Sequence, residues 1–235
     1  MTVTPLNEQE LAALRALDTP TVCNALELLV PERRGYGYTV DPLICSFPEL
    51  PPMVGYARTA VIRSMNPPTI GGDDMRAQRI AYYEYVERSP RPSISVIQDI
   101  DPLPGFGSFW GEVQSNVHQG LGALGTITNG CVRDIDACAE GFQFISGSIK
   151  PSHAFVHVVA FGVEVTVAGM EVRPDDLIHA DCHGAVVIPH EVARDVVGTA
   201  DLLARKEAVV IEAARKPGFS AAALKEAFAK QDDIN

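Results

Sequence analysis

An arginine directly followed by a carboxylate stands just after a turn-forming dipeptide, at Arg133 and Asp134. Asn129 and Gly130 are typical of a tight hairpin turn, which would leave Arg133 and Asp134 exposed on opposite faces of the strand that follows. If a strand instead ends near Asp134, backbone curvature lets the cationic and the anionic side chain converge on one ligand. The local sequence alone favours the hairpin.

Two pairs of histidines spaced four residues apart raise the possibility of a zinc site. His153 and His157 lie in a strand-like run, and four residues along a strand separate two rings by about 13 Å, too far to share one ion. The second pair is His179 and His183. A local site near His179 and Asp181 is conceivable, but histidines satisfied by hydrogen bonds at a strand end are the favoured interpretation.

Three glycines, Gly120, Gly122 and Gly125, match the G-x-G-x-x-G pattern of dinucleotide-binding sites. That use requires a strand before the glycines and a helix after them. Here helical residues precede the glycines and a β-rich run follows, so no helix N-terminus would face a pyrophosphate. We interpret the glycines as a helix C-terminal stop, which argues against a Rossmann site.

The composition is that of an ordinary globular protein of 235 residues, 46% hydrophobic and 21% charged. Five cysteines without a C-x-x-C pair predict free thiols rather than a disulfide framework or a zinc knuckle. A formal net charge of -11 repels phosphate backbones, so nucleic acid is not expected as a partner. An acidic small substrate stays compatible with this charge, because one local arginine or a metal ion outweighs a weak global field at contact distance.

The sequence shows no signal for export or membrane insertion. Residues 1–10 lack the basic and then apolar pattern of a signal peptide and carry Glu8 and Glu10. No uncharged run reaches the roughly 18 apolar residues that a membrane span needs. We therefore expect a cytoplasmic protein without a membrane partner.

Hydrophobic periodicity predicts an α/β chain with helical N- and C-terminal segments. Helix starts are predicted at Asn7, with Glu10 completing a capping box, at Asp18 or Thr19, and at Ser220. Further helices are predicted over residues 75–86 and 111–123 and after residue 189. Strands are predicted over residues 54–63, 93–98, 124–128, 142–146, 153–161, 163–167, 177–180 and 185–188. No linker or repeat divides the chain, so residues 1–235 are expected to form a single domain.

Four ordered motifs, read together, resemble the RraA-like family. This family includes the 4-hydroxy-4-methyl-2-oxoglutarate / 4-carboxy-4-hydroxy-2-oxoadipate aldolases and the RraA regulators of ribonuclease activity. The motifs are Gly111-Glu112-Val113, then Gly125-x-Ile127-x-x-Gly130-x-Val132-Arg133-Asp134, then Val172-x-Pro174-x-Asp176, and then Ala180-Asp181-x-x-Gly184-x-x-Val187-Ile188-Pro189.

The resemblance implies a swivelling β/β/α domain with a central mixed sheet, forming homotrimers or homohexamers with pockets between subunits. It also implies that Asp134 ligates a divalent ion, Mg²⁺ or Mn²⁺, and that Arg133 holds the oxygens of a pyruvyl group. Backbone amides of Gly111, Glu112, Val113 and Gln114 would receive the substrate carboxylate. Physical chemistry agrees, because Gly111 opens a predicted helix whose unpaired N–H groups favour an anion.

The activity implied is metal-dependent cleavage of a 4-hydroxy-2-oxo acid to release pyruvate, with oxaloacetate decarboxylation as a side activity. Both reactions yield the enolate of pyruvate, whose negative charge a metal and a guanidinium stabilise. Glu112 would contact the ion through water or relay a proton, although an acidic residue in a first helical turn also has a plain dipole explanation. The resemblance also suggests a carboxylate supplied by a neighbouring subunit, with Glu207 and Glu212 as candidates.

Two departures from the family pattern and two other functions stay open. Asn24 stands where the family has aspartate and is expected to alter the pocket, while Asp175 replaces a glycine and is expected to alter only a turn. The main alternative is a non-enzymatic regulator that uses its acidic surface to bind a ribonuclease. A weaker alternative is lyase chemistry on another 2-oxo or sugar acid.

Overall fold

The computed structural model describes residues 4–234, which form ten strands and six α-helices. Residues 1–3 and 235 of the predicted domain lie outside the described residues. The helices are α1 Glu8–Arg15, α2 Thr19–Leu29, α3 Gly72–Glu87, α4 Glu112–Gly120, α5 Val196–Ala214 and α6 Ala221–Asp232. The strands are β1 Ile44–Cys45, β2 Met53–Arg63, β3 Ser93–Asp99, β4 Ala123–Val132, β5 Gln143–Ile149, β6 His157–Phe161, β7 Val165–Val167, β8 Met170–Val172, β9 Leu177–Asp181 and β10 Gly184–Ile188.

One mixed sheet organises the chain, with strand order β1-β5-β4-β3-β2-β9-β10 and β6 added to the end of β2. Strands β2, β3, β4 and β5 run parallel, and their long apolar runs suit strands that are covered on both faces. The segment before β1 then closes the gap between the two edges. Tyr38 bridges Val186 of β10, and Ile44 pairs with Ser146 of β5.

Three apolar clusters fill the space around this sheet. The interior of the curved sheet holds residues such as Ala57, Ile127 and Ile178, and the β7–β8 hairpin plugs it with Met170. Helices α1, α2 and α5 pack on the outer face near β9 and β10. Helices α3 and α4 cover the parallel strands through an aromatic cluster, described below. The α/β class, the central mixed sheet and the helical terminal segments are therefore confirmed.

Local capping signals account for the helix starts. The Asn7 side chain accepts the Glu10 N–H and the Glu10 carboxylate accepts the Asn7 N–H, which completes the predicted capping box. Asp18, rather than Thr19, is the N-cap of α2, and Ser220 caps α6.

Over the described residues, no helix is both long enough and apolar enough to cross a bilayer.

Some predicted strand boundaries were wrong. The strand expected from His153 begins at His157, because Ala154 adopts a left-handed backbone conformation with φ 45°. The predicted strand at residues 163–167 shortens to Val165–Val167 and turns back into β8, which the periodicity missed. The turn between them, Ala168 and Gly169, has positive φ at both residues, as tight hairpins require.

Candidate active site

The site forms where the end of β4 meets the start of α4. Trp110 makes a parallel bridge to Val132, and its carbonyl accepts the Arg133 N–H at 3.1 Å. A cavity of about 550 Å³ opens beside this junction. The site residues predicted on α4 and at the end of β4 all line this cavity, namely Gly111, Glu112, Val113, Gln114, Arg133 and Asp134.

The hairpin interpretation of Asn129 and Gly130 was wrong, because β4 continues through both residues to Val132. Parallel neighbours on both sides, β3 and β5, leave no room for a reversal of the chain. The Asn129 amide instead exchanges two hydrogen bonds with the backbone of Asp99, at 2.8 and 2.9 Å. The strand therefore ends near Asp134, which is the condition for Arg133 and Asp134 to converge on one ligand.

Asp134 owes its direction to a left-handed backbone conformation, with φ 53° and ψ 37°. This is uncommon for a residue other than glycine, although aspartate tolerates it better than most. Two bonds to the Asp134 carbonyl fix the turn, from the Ala137 N–H at 2.9 Å and the Cys138 thiol at 3.0 Å. Arg133 Nε then lies 3.4 Å from Asp134 Oδ2, with about a third of each side chain exposed (36% and 38%).

Gly111 allows the carboxylate to approach the helix end. A Cβ atom at position 111 would lie 2.6 Å from Asp134 Oδ2 and 3.2 Å from Arg133 Cγ. Gly111 is also the N-cap of α4, and among the described residues no side chain caps this helix. The first-turn amides of α4 therefore stay available at the cavity, at the positive end of the helix dipole.

Aromatic side chains beneath α4 hold its first turn in place. His118 is buried against Trp110, with ring centroids 4.6 Å apart. Its Nδ1 bonds to the Gln114 carbonyl at 2.7 Å and its Nε2 to the Tyr82 hydroxyl at 2.8 Å. Because a carbonyl only accepts, Nδ1 carries the proton and Nε2 accepts from Tyr82. Burial lowers the pKa of His118 to about 4, so the imidazole is neutral at pH 7.

Helix α3 forms the other wall of the cavity, which no pattern in the sequence predicted. Its cavity-facing residues include Arg76, Gln78, Arg79 and Tyr83. The Tyr83 hydroxyl donates to Gln114 Oε1 at 3.1 Å, and Gln78 Nε2 donates to the β6 carbonyl of Val159 at 3.2 Å. The helical spacing of 75, 76, 79, 82 and 83 was visible in the sequence, but nothing in it showed that this face would meet α4.

Glu207 and Glu212 lie on α5, which packs against α2 and α6. Neither residue is among those that line the cavity of the described chain. Asn24 is exposed on α2 and does not line the cavity either, so within one chain it does not alter this pocket.

Asp175 does more than change a turn. It adopts φ 69° and forms an ion pair with Arg58, whose side chain is 1% exposed.

The histidines behave largely as the favoured interpretation predicted. His179 is buried, with Nδ1 3.0 Å from the Thr19 hydroxyl and Nε2 facing the carbonyls of Leu14 and Leu17. Among the described residues, one group of potential ligands lies within 4.8 Å, formed by Asp181, Cys182 and His183. Both Asp181 oxygens already accept backbone N–H groups, from Thr19 and His183 at 2.8 Å each. All five cysteines are free.

Comparison with known proteins places this geometry in a family. The RraA-like family, described as Aldolase/RraA, matches residues 19–187. The chain belongs to the RraA-like family. This match contains the whole of α4, β4 and the Arg133–Asp134 pair.

Two curated relatives are partial matches. An uncharacterised protein of Methanocaldococcus jannaschii is 30% identical over 105 residues, covering 44% of this chain and 50% of the relative. Protein DlpA of Legionella pneumophila is 24% identical over 121 residues, covering 48% of this chain and 18% of the relative. The chain thus spans half or less of the curated relatives that it matches.

Solved structures share the fold. An uncharacterised protein from Pseudomonas syringae pv. tomato superposes with a TM-score of 0.73 at 23% identity, covering 98% of this chain and 97% of the other. RraAS2 of Streptomyces coelicolor, described as an unusual member of the RNase ES inhibitor RraA family, gives a TM-score of 0.68 at 20% identity over 87% and 96% of the two chains. The expected RraA-like fold is therefore confirmed.

Proposed function

We propose that this RraA-like protein is a divalent-metal-dependent lyase that cleaves a 4-hydroxy-2-oxo acid and releases pyruvate. The observation that carries the proposal is the convergence of three groups on one cavity. These are the uncapped first turn of α4, the Arg133 guanidinium, and an Asp134 carboxylate that the backbone directs toward Gly111. A protein that acts only through its surface has no need for this arrangement.

The residues present fit a hard divalent cation. Asp134 offers its carboxylate in the cavity wall, Glu112 lies beside it on the same wall, and the space that a Cβ at Gly111 would fill stays open. Mg²⁺ and Mn²⁺ prefer oxygen ligands, and Mg²⁺ commonly uses one or two carboxylates while keeping several waters. Asp134 would hold the ion directly and Glu112 through water. When bound, the ion would supply Lewis-acid polarisation of the 2-oxo group.

The chain's own groups would bind and orient the pyruvyl half. The amides of Glu112, Val113 and Gln114 would receive the substrate carboxylate at the helix N-terminus. Arg133 would donate to the 2-oxo oxygen, where negative charge grows as the bond between C3 and C4 breaks and its electron pair enters the pyruvate enolate. The 4-hydroxyl proton must leave at the same time, and Glu112 would relay a proton through water to C3 of the enolate, which then leaves as pyruvate.

Oligomerisation belongs to the same proposal. We infer a homotrimer or homohexamer in which a carboxylate of α5 from a neighbouring subunit, Glu207 or Glu212, completes the site. Exposed apolar side chains on the segments beside the cavity support burial against another copy. They include Val113 at 70% exposure, Ile149 at 52% and Phe155 at 53%.

The decisive assay measures pyruvate release by the purified chain in a coupled lactate dehydrogenase reaction. The substrates are 4-hydroxy-4-methyl-2-oxoglutarate and oxaloacetate, each with and without Mg²⁺. We expect EDTA to stop pyruvate release and added Mg²⁺ or Mn²⁺ to restore it. Turnover that survives exhaustive chelation would remove the metal from the proposal.

Replacement of Arg133 tests the role of the guanidinium. We expect Arg133→Ala to lower kcat about 10²-fold or more, since it removes a stabiliser of the developing oxyanion. The circular dichroism spectrum should stay native, because the side chain is partly exposed. Arg34→Ala removes a surface arginine that pairs with Glu27 and serves as the control. Near-normal turnover by Arg133→Ala would reject the assignment.

The second candidate function is regulation of a ribonuclease by direct binding. The formal net charge of -11 favours it, since an acidic surface attracts a basic partner. RraAS2 of Streptomyces coelicolor, which shares the fold, is assigned to a family of RNase ES inhibitors. Absence of pyruvate release from both substrates, together with salt-sensitive inhibition of a ribonuclease that Arg133→Ala leaves unchanged, would favour this function.

A further inference from the structure

The two walls of the candidate-site cavity differ in charge, since one carries both signs and the other carries only positive charge. The wall built by α4 and the end of β4 contributes Arg133 and two carboxylates, Glu112 and Asp134. The wall built by α3 contributes Arg76 and Arg79. No other aspartate or glutamate of the described residues lines the cavity, so the α3 wall is purely cationic.

Among the described residues, neither arginine of the α3 wall has a side-chain partner. Arg76 and Arg79 are both exposed, and in residues 4–234 no salt bridge or side-chain hydrogen bond of either guanidinium is found. The contrast with Arg58, Arg173 and Arg194, which each pair with a carboxylate, is marked in a chain of net charge -11. Two cations three residues apart on a helix lie side by side and repel one another, and an anion between them relieves that repulsion.

Side-chain contacts fix α3 relative to the reactive wall. Tyr82 bonds to His118 at 2.8 Å and Tyr83 to Gln114 at 3.1 Å, so two successive residues of α3 attach to α4. Arg79 and Arg76 line the cavity one and two turns earlier on the same helix. A ligand held at the α4 amides would therefore share one cavity with Arg79 and Arg76.

We propose that Arg76 and Arg79 bind an anionic group, a carboxylate or a phosphate, on the half of the substrate that does not become pyruvate. Paired guanidiniums are suited to such a group, since each donates in a planar fork that matches its oxygens. The inference rests on the proposed function and narrows it. Both proposed substrates carry a carboxylate on that half, and the inference assigns its recognition to Arg76 and Arg79 of α3.

The test compares two unreactive ligands of equal length by calorimetry, in the presence of Mg²⁺. 2-Oxoglutarate carries a far carboxylate, and 2-oxopentanoate has a methyl group there. We expect the wild type to bind 2-oxoglutarate at least tenfold more tightly. The double variant Arg76→Gln/Arg79→Gln should lose that preference and keep its affinity for 2-oxopentanoate. A third ligand, 2-oxo-4-phosphonobutanoate, shows by its relative affinity whether the far site prefers phosphate over carboxylate.

Arg88→Gln is the matched control, because Arg88 is an exposed arginine at the end of the same helix and does not line the cavity. It should leave both affinities unchanged. Equal binding of the two ligands by the wild type, or an equal loss of both in the double variant, would overturn the far-anion site while leaving the pyruvyl site intact. Failure of the wild type to bind either 2-oxo acid would overturn the proposed function and this inference together.

Discussion

At the scale of single residues, the close approach of Asp134 to Gly111 shapes the candidate site. The φ of Gly111 is -179°, which any residue adopts, so the requirement for glycine is one of space. A methyl group there would meet Asp134 Oδ2 at 2.6 Å and force the carboxylate or the start of α4 to move. Misplacement of a catalytic group by about 1 Å costs on the order of 10²-fold in rate.

We therefore expect Gly111→Ala to lower kcat by at least about tenfold with an unchanged fold, measured by pyruvate release and circular dichroism. Gly120→Ala is the control, because Gly120 ends the same helix and a Cβ there meets nothing within 4 Å. That variant should keep full activity and gain up to about 1 kcal/mol of stability. Equal activity of the two variants would show that the close approach is unimportant.

The residue types of the site could be predicted from the sequence, but their geometry could not. The ordered motifs that resemble the RraA-like family identified Glu112, Arg133 and Asp134, and all three line the cavity. Their convergence depends on the left-handed backbone at Asp134 and on a β4 strand that runs through an Asn-Gly pair. The course of β4 follows from its parallel neighbours β3 and β5, and the Asp134 conformation from the turn that Ala137 and Cys138 close.

At the scale of elements, the contact between α3 and α4 makes stability depend on pH. The pKa of His118 falls from 6.5 to about 4 on folding, because burial disfavours the imidazolium. Between these values the unfolded chain binds a proton that the folded chain does not. The stabilisation is complete above pH 6.5 and is lost as the pH falls toward 4, by about 3 kcal/mol in total.

This predicts a difference between wild type and His118→Gln in urea unfolding at pH 7.5 and pH 4.5. The free energy of unfolding of the wild type should fall between these pH values by about 2–3 kcal/mol more than that of the variant. Other ionisable groups, including the buried His179, contribute equally to both proteins and cancel. The same pH dependence in both proteins would contradict the assignment of a buried neutral His118.

The ion pair between Arg58 and Asp175 joins three elements. The Arg58 guanidinium leaves β2, meets Asp175 in the turn before β9, and donates to the carbonyls of Arg88 and Pro90 after α3, at 2.6 and 2.8 Å. Arg58 is buried, whereas the Asp175 side chain is 56% exposed. Solvent therefore screens part of the interaction, and its loss is milder than that of a fully buried pair.

We expect Asp175→Asn to lower the free energy of unfolding by about 1–2 kcal/mol, since asparagine keeps the left-handed conformation and removes only the charge. Glu164→Gln is the control, because it breaks an ion pair with Arg173 whose members are 52% and 75% exposed. That change should stay within about 0.5 kcal/mol. Urea denaturation compares the two, and equal small effects would show that Arg58 is satisfied by carbonyls alone.

Elements with strong local signals could be predicted well. The capping box at Asn7, the cap at Ser220 and the apolar run of β2 were all identified from short patterns. The two-residue β1 and three-residue β8 were missed, because each is held by its partner strand rather than by its own periodicity. The orientation of α3 depends on Tyr82 and Tyr83 meeting α4, a long-range contact without local trace.

At the scale of the whole molecule, the exposed apolar residues beside the cavity favour assembly. Exposed apolar surface that gathers in one region marks interaction sites, and the proposed trimer or hexamer would bury it. We expect a solution mass of three or six times the 25.3 kDa of one chain, measured by light scattering.

Ile149→Glu/Phe155→Glu should shift this mass toward the monomer and reduce pyruvate release, while circular dichroism remains native. Leu28→Glu changes an equally exposed leucine, 54% accessible on α2, and should leave the mass unchanged. Disassembly by the control instead would place the interface on the α2 side. An unchanged mass in both variants would remove this surface from the proposed interface.

The two walls of the cavity belong to separate segments of the chain, so a substitution in one wall leaves the residues of the other in place. In the proposed function, α4 and the end of β4 bind the pyruvyl half of the ligand, and the cavity-lining residues of α3 bind the far half. Homologues with other residues at positions 76 and 79 would then prefer other substrates and keep the same bond-cleaving reaction. Under this proposal, paralogues that diverge at these two positions would use different carbon sources through one shared reaction.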